Sequence, residues 1–194
     1  MTSRSRRFSS LSKEAAKCQI CPRMADQKAI LSLRNGSITA PLIFIAEAPG
    51  RFGAAKTGVP FQGDKSSENF EKLLSHIGLT REDIFITNAV LCNPLKDGNN
   101  DKPTRKEISN CSYFLKSVLE LIEPKVVATL GGTALDTLNL IFGKKLKLSE
   151  TVAKPQILDS FTLLPLYHPS PRVTNWMRPL SKQKRDYKKI LPLL

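Results

Sequence analysis

No window of this 194-residue chain approaches the roughly 18 consecutive apolar residues that a bilayer-spanning helix needs, so a transmembrane helix is excluded by hydropathy. Acidic residues are scarce: 17 Asp+Glu stand against 30 Lys+Arg, which leaves a formal net charge of +13. An imbalance of that size calls for an acidic partner, either nucleic acid or an anionic membrane surface. Neither GxGxxG nor GxxxxGK[ST] occurs, so dinucleotide and P-loop sites lose support. No internal repeat and no domain boundary are visible. The first 13 residues are basic and Ser-rich but lack an apolar run and a small-residue cleavage site, so a secretory signal is not expected there. They resemble an organelle transit peptide only weakly, and a frayed basic arm over 1–13 ahead of a single domain over 14–194 is the expectation. Without an export signal, the four cysteines point to a reducing compartment, where such residues bind metal or act in catalysis more often than they form disulfides.

What is present is the composition of an ordinary globular chain, with 41% hydrophobic and 24% charged residues. Short apolar runs at 42–46, 84–87, 126–130 and 161–167 read as four strands. Between them lie helical patterns over 66–77, 104–122 and 133–142, and a basic segment over 180–191 reads as a last helix. Thr104 and Glu107 have capping-box spacing at the start of the longest one. The stretch 94–103 carries so many turn residues that a loop is expected, and 144–154 reads as a mobile insertion. Continuously apolar strands alternating with helices indicate an α/β protein with a parallel sheet covered on both faces. In such sheets ligands gather at the carboxyl ends of the strands. Residues 47–50, Asn88, Gly131-Gly132 and His168 each follow a strand, so they are expected to converge on one edge.

Cys18-Gln19-Ile20-Cys21 is a CxxC pair, and Cys92 and Cys111 are dispersed. Zinc ribbons pair one CxxC with a second, so one tight pair plus two scattered thiols favours an iron–sulfur cluster over zinc, a redox pair or four unrelated thiols. The residues 47–67 form a Gly-rich loop with glycines at 50, 53, 58 and 63, two carboxylates in Glu47 and Asp64, and the aromatic ring of Phe61 between them. Glycine lets backbone amides approach a ligand closely.

Five features, taken together, carry a resemblance. They are Glu47-Ala48-Pro49-Gly50, Thr57-Gly58-Val59-Pro60-Phe61-Gln62-Gly63-Asp64, Thr87-Asn88-Ala89-Val90-Leu91-Cys92, Cys111, and His168-Pro169-Ser170-Pro171-Arg172. In order and spacing the chain resembles the iron–sulfur branches, families 4 and 5, of the uracil-DNA glycosylase superfamily from about Cys18 to Leu191. Glu47-Ala48-Pro49-Gly50 resembles family 4, whereas Gly53 and the run ending in Asp64 resemble family 5.

The resemblance implies a three-layer α/β/α sandwich around a short, mainly parallel four-stranded sheet, a [4Fe–4S] cluster on Cys18, Cys21, Cys92 and Cys111, and hydrolysis of the N-glycosidic bond of uracil. By matched position it implies that Phe61 stacks on the flipped base and Asn88 reads its Watson–Crick edge. The backbone at Ala48 and Gly50 helps to hold the base, and His168 stabilises the departing anion. Either Glu47 or Asp64 is a candidate to orient water, with Asp64 favoured. A base inside a duplex must be flipped out to be reached, which suits such a pocket. Ser170 and Arg172 are expected to touch DNA, with Arg172 entering the groove or filling the gap left by the base. On the last helix, Lys182 and Arg185 are expected to bind phosphates. No lysine in the pocket motifs suggests Schiff-base chemistry, so base release without strand cleavage is expected. The partner is then DNA containing uracil or another deaminated base rather than a membrane, and the protein a monomer, cytoplasmic and associated with the nucleoid. Two alternatives remain: an iron–sulfur or zinc nucleic-acid-binding protein of this fold without turnover, and a glycosylase acting mainly on hypoxanthine or xanthine.

Overall fold

Five strands form the central sheet of the computed structural model, which describes residues 2–158 and 160–194. The first half of the chain contributes α1 (Ser3–Lys17), β1 (Leu42–Ala46), α2 (Ala54–Thr57), α3 (Lys65–His76), β2 (Ile84–Asn88), β3 (Leu95–Lys96) and β4 (Asn99–Asn100). The second half contributes α4 (Arg105–Ile122), β5 (Val126–Leu130), α5 (Gly132–Phe142), α6 (Leu148–Thr151), β6 (Gln156–Ile157), β7 (Thr162–Leu166), α7 (Pro171–Trp176) and α8 (Leu180–Tyr187). The sheet order is β2-β1-β5-β7-β6; the first four are parallel and β6 is antiparallel to β7.

β1 is apolar throughout because both of its faces are covered. Ile43 and Ile45 point into a core shared with α1, α4 and α5, while Leu42, Phe44 and Ala46 meet α3 and α8 on the opposite face. Phe44 meets Phe70 of α3 edge-on at 5.1 Å and stacks on Tyr187 of α8 at 5.8 Å. The result is the expected three-layer α/β/α sandwich. On the β2 side the chain around Gly36 closes the sheet: Ser37 N donates to Ile84 O at 3.0 Å, and Asn35 Nδ2 to Ile86 O at 2.7 Å. Gly36 adopts φ 124, and a Cβ there would lie 2.1 Å from Ile84 O, so this approach requires glycine.

Four expectations are corrected. The sheet has five strands rather than four, because two residues of β6 pair along β7. Residues 94–103 are not all loop, since Leu95 and Asn100 pair in the two-stranded β3–β4 hairpin. The segment 144–154 is held rather than mobile: Asn139 exchanges two hydrogen bonds with Leu146, at 2.8 and 3.0 Å, and Ala153 N donates to Pro165 O at 2.8 Å. The N-terminal arm, apart from Met1, which lies outside the described residues, is not frayed. It forms α1, whose Phe8, Leu11 and Ala15 are spaced for one helical face and are buried against the core. Phe8 meets Phe85 of β2 edge-on at 5.7 Å, and Arg4 pairs with Glu123 at 2.6 Å. Among the described residues no helix is long and apolar enough to cross a membrane.

If α1 belongs to the core, Phe8→Ala lowers stability by about 3–5 kcal/mol in urea denaturation, the cost of emptying an aromatic core site. The exposed Arg6→Ala change on the same helix stays within about 0.5 kcal/mol. Equal, small effects of both changes would show that α1 contributes no core.

Candidate active site

The strand order reverses between β1 and β5: from β1 the chain passes to β2 on one side and later to β5 on the other. The loops leaving these two strands diverge, and a cavity of about 660 Å³ opens at the carboxyl edge. Glu47, Ala48, Gly50, Phe61, Asp64, Asn88 and His168 all line it, so the expected convergence is observed. Ser170 and Arg172 line it as well.

Phe61 sits at the left-handed φ of 49, a conformation disfavoured for a ring-bearing residue. Arg81 holds it there, donating to Pro60 O at 2.8 Å and also to Phe61 O. One face of the Phe61 ring stacks on Phe70 with centroids 4.5 Å apart, and the ring is tilted against His168 at 5.5 Å. An aromatic surface is therefore positioned in the cavity before any ligand arrives.

Asp64 is the N-cap of α3. Its Oδ1 accepts from Ser67 N at 2.8 Å and from Ser67 Oγ at 2.7 Å. The other oxygen lies against the glycine loop, where a Cβ on Gly53 would come within 2.8 Å of Asp64 Oδ2. Gly53 thus keeps that half of the carboxylate free of side chains. Glu47 is held differently: the Thr133 hydroxyl donates to Glu47 Oε2 at the start of α5, an end that favours negative charge.

His168 follows β7 and is half-buried. Its Nδ1 accepts from Ser170 N at 3.2 Å, so the ring proton resides on Nε2. Burial pushes its pKa down to about 4, with the nearby charge of Asp64 opposing the shift. The imidazole is therefore neutral at pH 7 and donates from Nε2. Its loop is tied to α3 by Asn69 Nδ2, which donates to Pro169 O at 2.9 Å. Asn88, at the end of β2, is buried, and its Nδ2 donor has no hydrogen-bond partner among the described residues. A buried unpaired amide donor is costly unless something pairs with it.

The structure does not bring every sequence-predicted residue to this cavity. Lys182 and Arg185 are exposed on α8 and do not line it. The four cysteines lie elsewhere, all of them free and half-buried. Burial raises the Cys92 thiol pKa to about 11 and that of Cys111 to about 12, and both feel Cys18 and Cys21 electrostatically. Leu91 N donates to Cys111 Sγ at 3.3 Å and Asn110 Nδ2 to Cys21 Sγ at 3.6 Å. Among the described residues, no group of three or more His, Cys, Asp or Glu side chains is arranged to hold a metal ion.

Several residues of the site carried no signal in the sequence. Arg81 sets Phe61 from twenty residues away. Asn100, Asp101 and Lys102 reach the cavity because β4 folds back on β3. Arg23, two residues after Cys21, anchors that wall by pairing with Asp101 at 2.6 Å and Glu107 at 2.7 Å, and by donating to Lys102 O at 3.0 Å. This pairing holds the Glu107 carboxyl down at about 2. Thr133 was the one readable case, lying just past the Gly131-Gly132 break.

Fold and cavity together define an α/β protein with a cavity at the carboxyl edge of a parallel sheet. The chain belongs to the Uracil DNA glycosylase superfamily, which it matches over residues 33–194. It is 33% identical over 161 residues to a type-4 uracil-DNA glycosylase of Thermotoga maritima, covering 82% of this chain and 80% of that protein. A type-4 uracil-DNA glycosylase of Saccharolobus solfataricus is 32% identical over 187 residues, covering 91% and 82%. A type-5 uracil-DNA glycosylase of Pyrobaculum aerophilum is 30% identical over 189 residues, covering 81% and 80%.

The tautomer and pKa of His168 can be read by NMR of ring-labelled protein. His168 should carry its proton on Nε2 at pH 7 and titrate only towards about 4. Because its folded pKa lies below the ordinary 6.5, the unfolded chain binds the proton first. The His168 contribution to stability therefore falls as pH drops from about 6.5 towards about 4. Titration near 6.5 would overturn the assignment.

Proposed function

We propose that this chain excises uracil from DNA by hydrolysing its N-glycosidic bond, leaving an abasic site without cutting the strand. The observation that carries the reading is the buried, unpartnered Asn88 amide in a cavity that also presents an aromatic face, a neutral imidazole and two carboxylates. A base taken out of the helix stacks on Phe61, whose ring is backed by Phe70. Asn88 Nδ2 donates to the O4 acceptor of uracil; cytosine places an amino donor there and leaves Asn88 unsatisfied. As the bond breaks, negative charge develops on the base, and His168 donates from Nε2 to it. One preorganised donor of that kind contributes about 2.7–4 kcal/mol. Asp64 orients the attacking water with its less engaged oxygen. Glu47, fixed by Thr133, supplies a second negative charge near the sugar cation. Arg172, in the cavity lining, fills the gap left by the base, and Ser170, at the N-cap position of the helix that carries it but with no side-chain capping bond, touches the DNA. The +13 surplus, Lys182 and Arg185 included, binds the phosphate backbone.

A [4Fe–4S] cluster would be held by Cys18, Cys21, Cys92 and Cys111. The donor set fits it: four unpaired thiols in one electrostatic neighbourhood, two of them already accepting N–H···S bonds. When bound, the cluster supplies a cross-link between the end of α1, the loop after β2 and α4, and takes no part in base release. Arg23 and Glu107 are the chain's own bridge from that region to the cavity wall.

Base release is tested with oligonucleotides bearing uracil, hypoxanthine or xanthine, treated with alkali to reveal abasic sites. Uracil DNA should give alkali-dependent breaks; His168→Ala should slow release by about 100- to 1,000-fold, and Asn88→Ala should also depress it. Preferential release of hypoxanthine or xanthine, tight binding without release, or breaks without alkali would each overturn part of the reading. Asp64→Asn should cost more activity than Glu47→Gln, since asparagine caps a helix as well as aspartate and only the charge is lost.

The cluster is tested on the purified protein by iron, acid-labile sulfide and visible absorbance, all of which Cys111→Ser should abolish. A colourless protein containing zinc would refute it.

A further inference from the structure

Trp176 ends α7, and at 85% exposed it is the largest ring left open on the surface. Its neighbour Met177 is 60% exposed and lines the cavity, as do Val173 and Arg172 on the same short helix. Arg172 and Trp176 are four residues apart, so they lie on one side of α7. An exposed indole therefore lies on the same side of α7 as Arg172, a cation that lines the cavity. Another exposed ring, Phe52, already has the Arg51 guanidinium over one face, 4.3 Å from the ring centre. Ile157, more exposed still at 88%, is on the edge strand β6 and has no π face.

We propose that Trp176 is a stacking platform for an unpaired base adjoining the nucleotide in the cavity, so that a single DNA strand is bound along α7, past Arg172. The proposal rests on the cavity being the site of a DNA base, as argued above, and extends it to the strand outside. Charge supports the occupant, since the chain carries a surplus of 13 positive charges. Geometry favours single over double strands: bases within a duplex are stacked on one another and paired, so an indole standing out from the surface meets no free base face. An aromatic side chain next to positive charge is the arrangement that binds single strands without regard to sequence.

Trp176 is the only tryptophan in the chain, so intrinsic fluorescence reports on this one ring. Wild-type protein is titrated with a uracil-free single-stranded oligonucleotide and with the matching duplex, following indole emission and the anisotropy of a dye on the DNA. The single strand should quench the emission with the same midpoint as the anisotropy change, while bound duplex leaves the emission nearly unaltered. Trp176→Ala should weaken single-strand binding about tenfold, within the range of one base–aromatic stack, and Trp176→Phe should restore most of it. Because the ring is exposed, the thermal midpoint of both variants should match wild type. The proposal is overturned by single-strand binding without a change in emission, by no single-strand binding at all, or by a Trp176→Ala affinity within twofold of wild type. Uracil release plays no part in the readout. Quenching by a protein that releases no base would refute the glycosylase reading alone, and release without quenching would refute the platform alone.

Discussion

Four parallel strands with apolar residues on both faces must return across the sheet between one strand and the next, and this constraint sets everything else in the molecule. It requires helical layers on both sides, which α1, α4 and α5 provide on one face and α3 and α8 on the other. It also delivers every strand's carboxyl end to one edge. Reversal of direction between β1 and β5 then separates their loops, and the cavity forms in the gap. Residues far apart in the chain, Glu47, Asn88 and His168, become neighbours for this reason alone.

Within that gap the side chains are held by contacts that work against local preference. Phe61 occupies a left-handed conformation because Arg81 grips the carbonyls beside it. Asp64 serves α3 with one oxygen and keeps the other against a glycine that admits no side chain. Asn88 leaves a buried donor unpaired, at a cost in stability. Carboxylates gather inside a protein whose surplus charge is positive.

The legibility of the sequence followed the range of the interactions. The parallel strands were readable because their apolar runs have no other use, and Thr104 with Glu107 formed the capping box that its spacing indicated. The cavity residues on the Gly-rich loop and after each strand were readable for the same local reason. The helix α1 was missed because only three buried positions, Phe8, Leu11 and Ala15, emerge from a Ser- and Arg-rich background. β6 and the β3–β4 hairpin were missed because two-residue strands have no periodicity to detect. Arg23 and Arg81 act through single long side chains on distant carbonyls and carboxylates, which no local pattern encodes.

From the sequence alone came the layered α/β architecture, the edge on which the cavity opens, the residue types that meet there, and the sign of the chain's own surplus charge. All of these depend on composition, periodicity and chain direction. Only the tertiary structure decided which oxygen of Asp64 is engaged, which nitrogen of His168 carries the proton, and that the Asn88 donor is left unpaired. It alone showed that the one indole of the chain stands open on α7, the short helix whose Arg172 and Val173 line the cavity. These are matters of ångström-scale distance and desolvation between groups far apart in the chain, and they exist only once the sheet has brought those groups together.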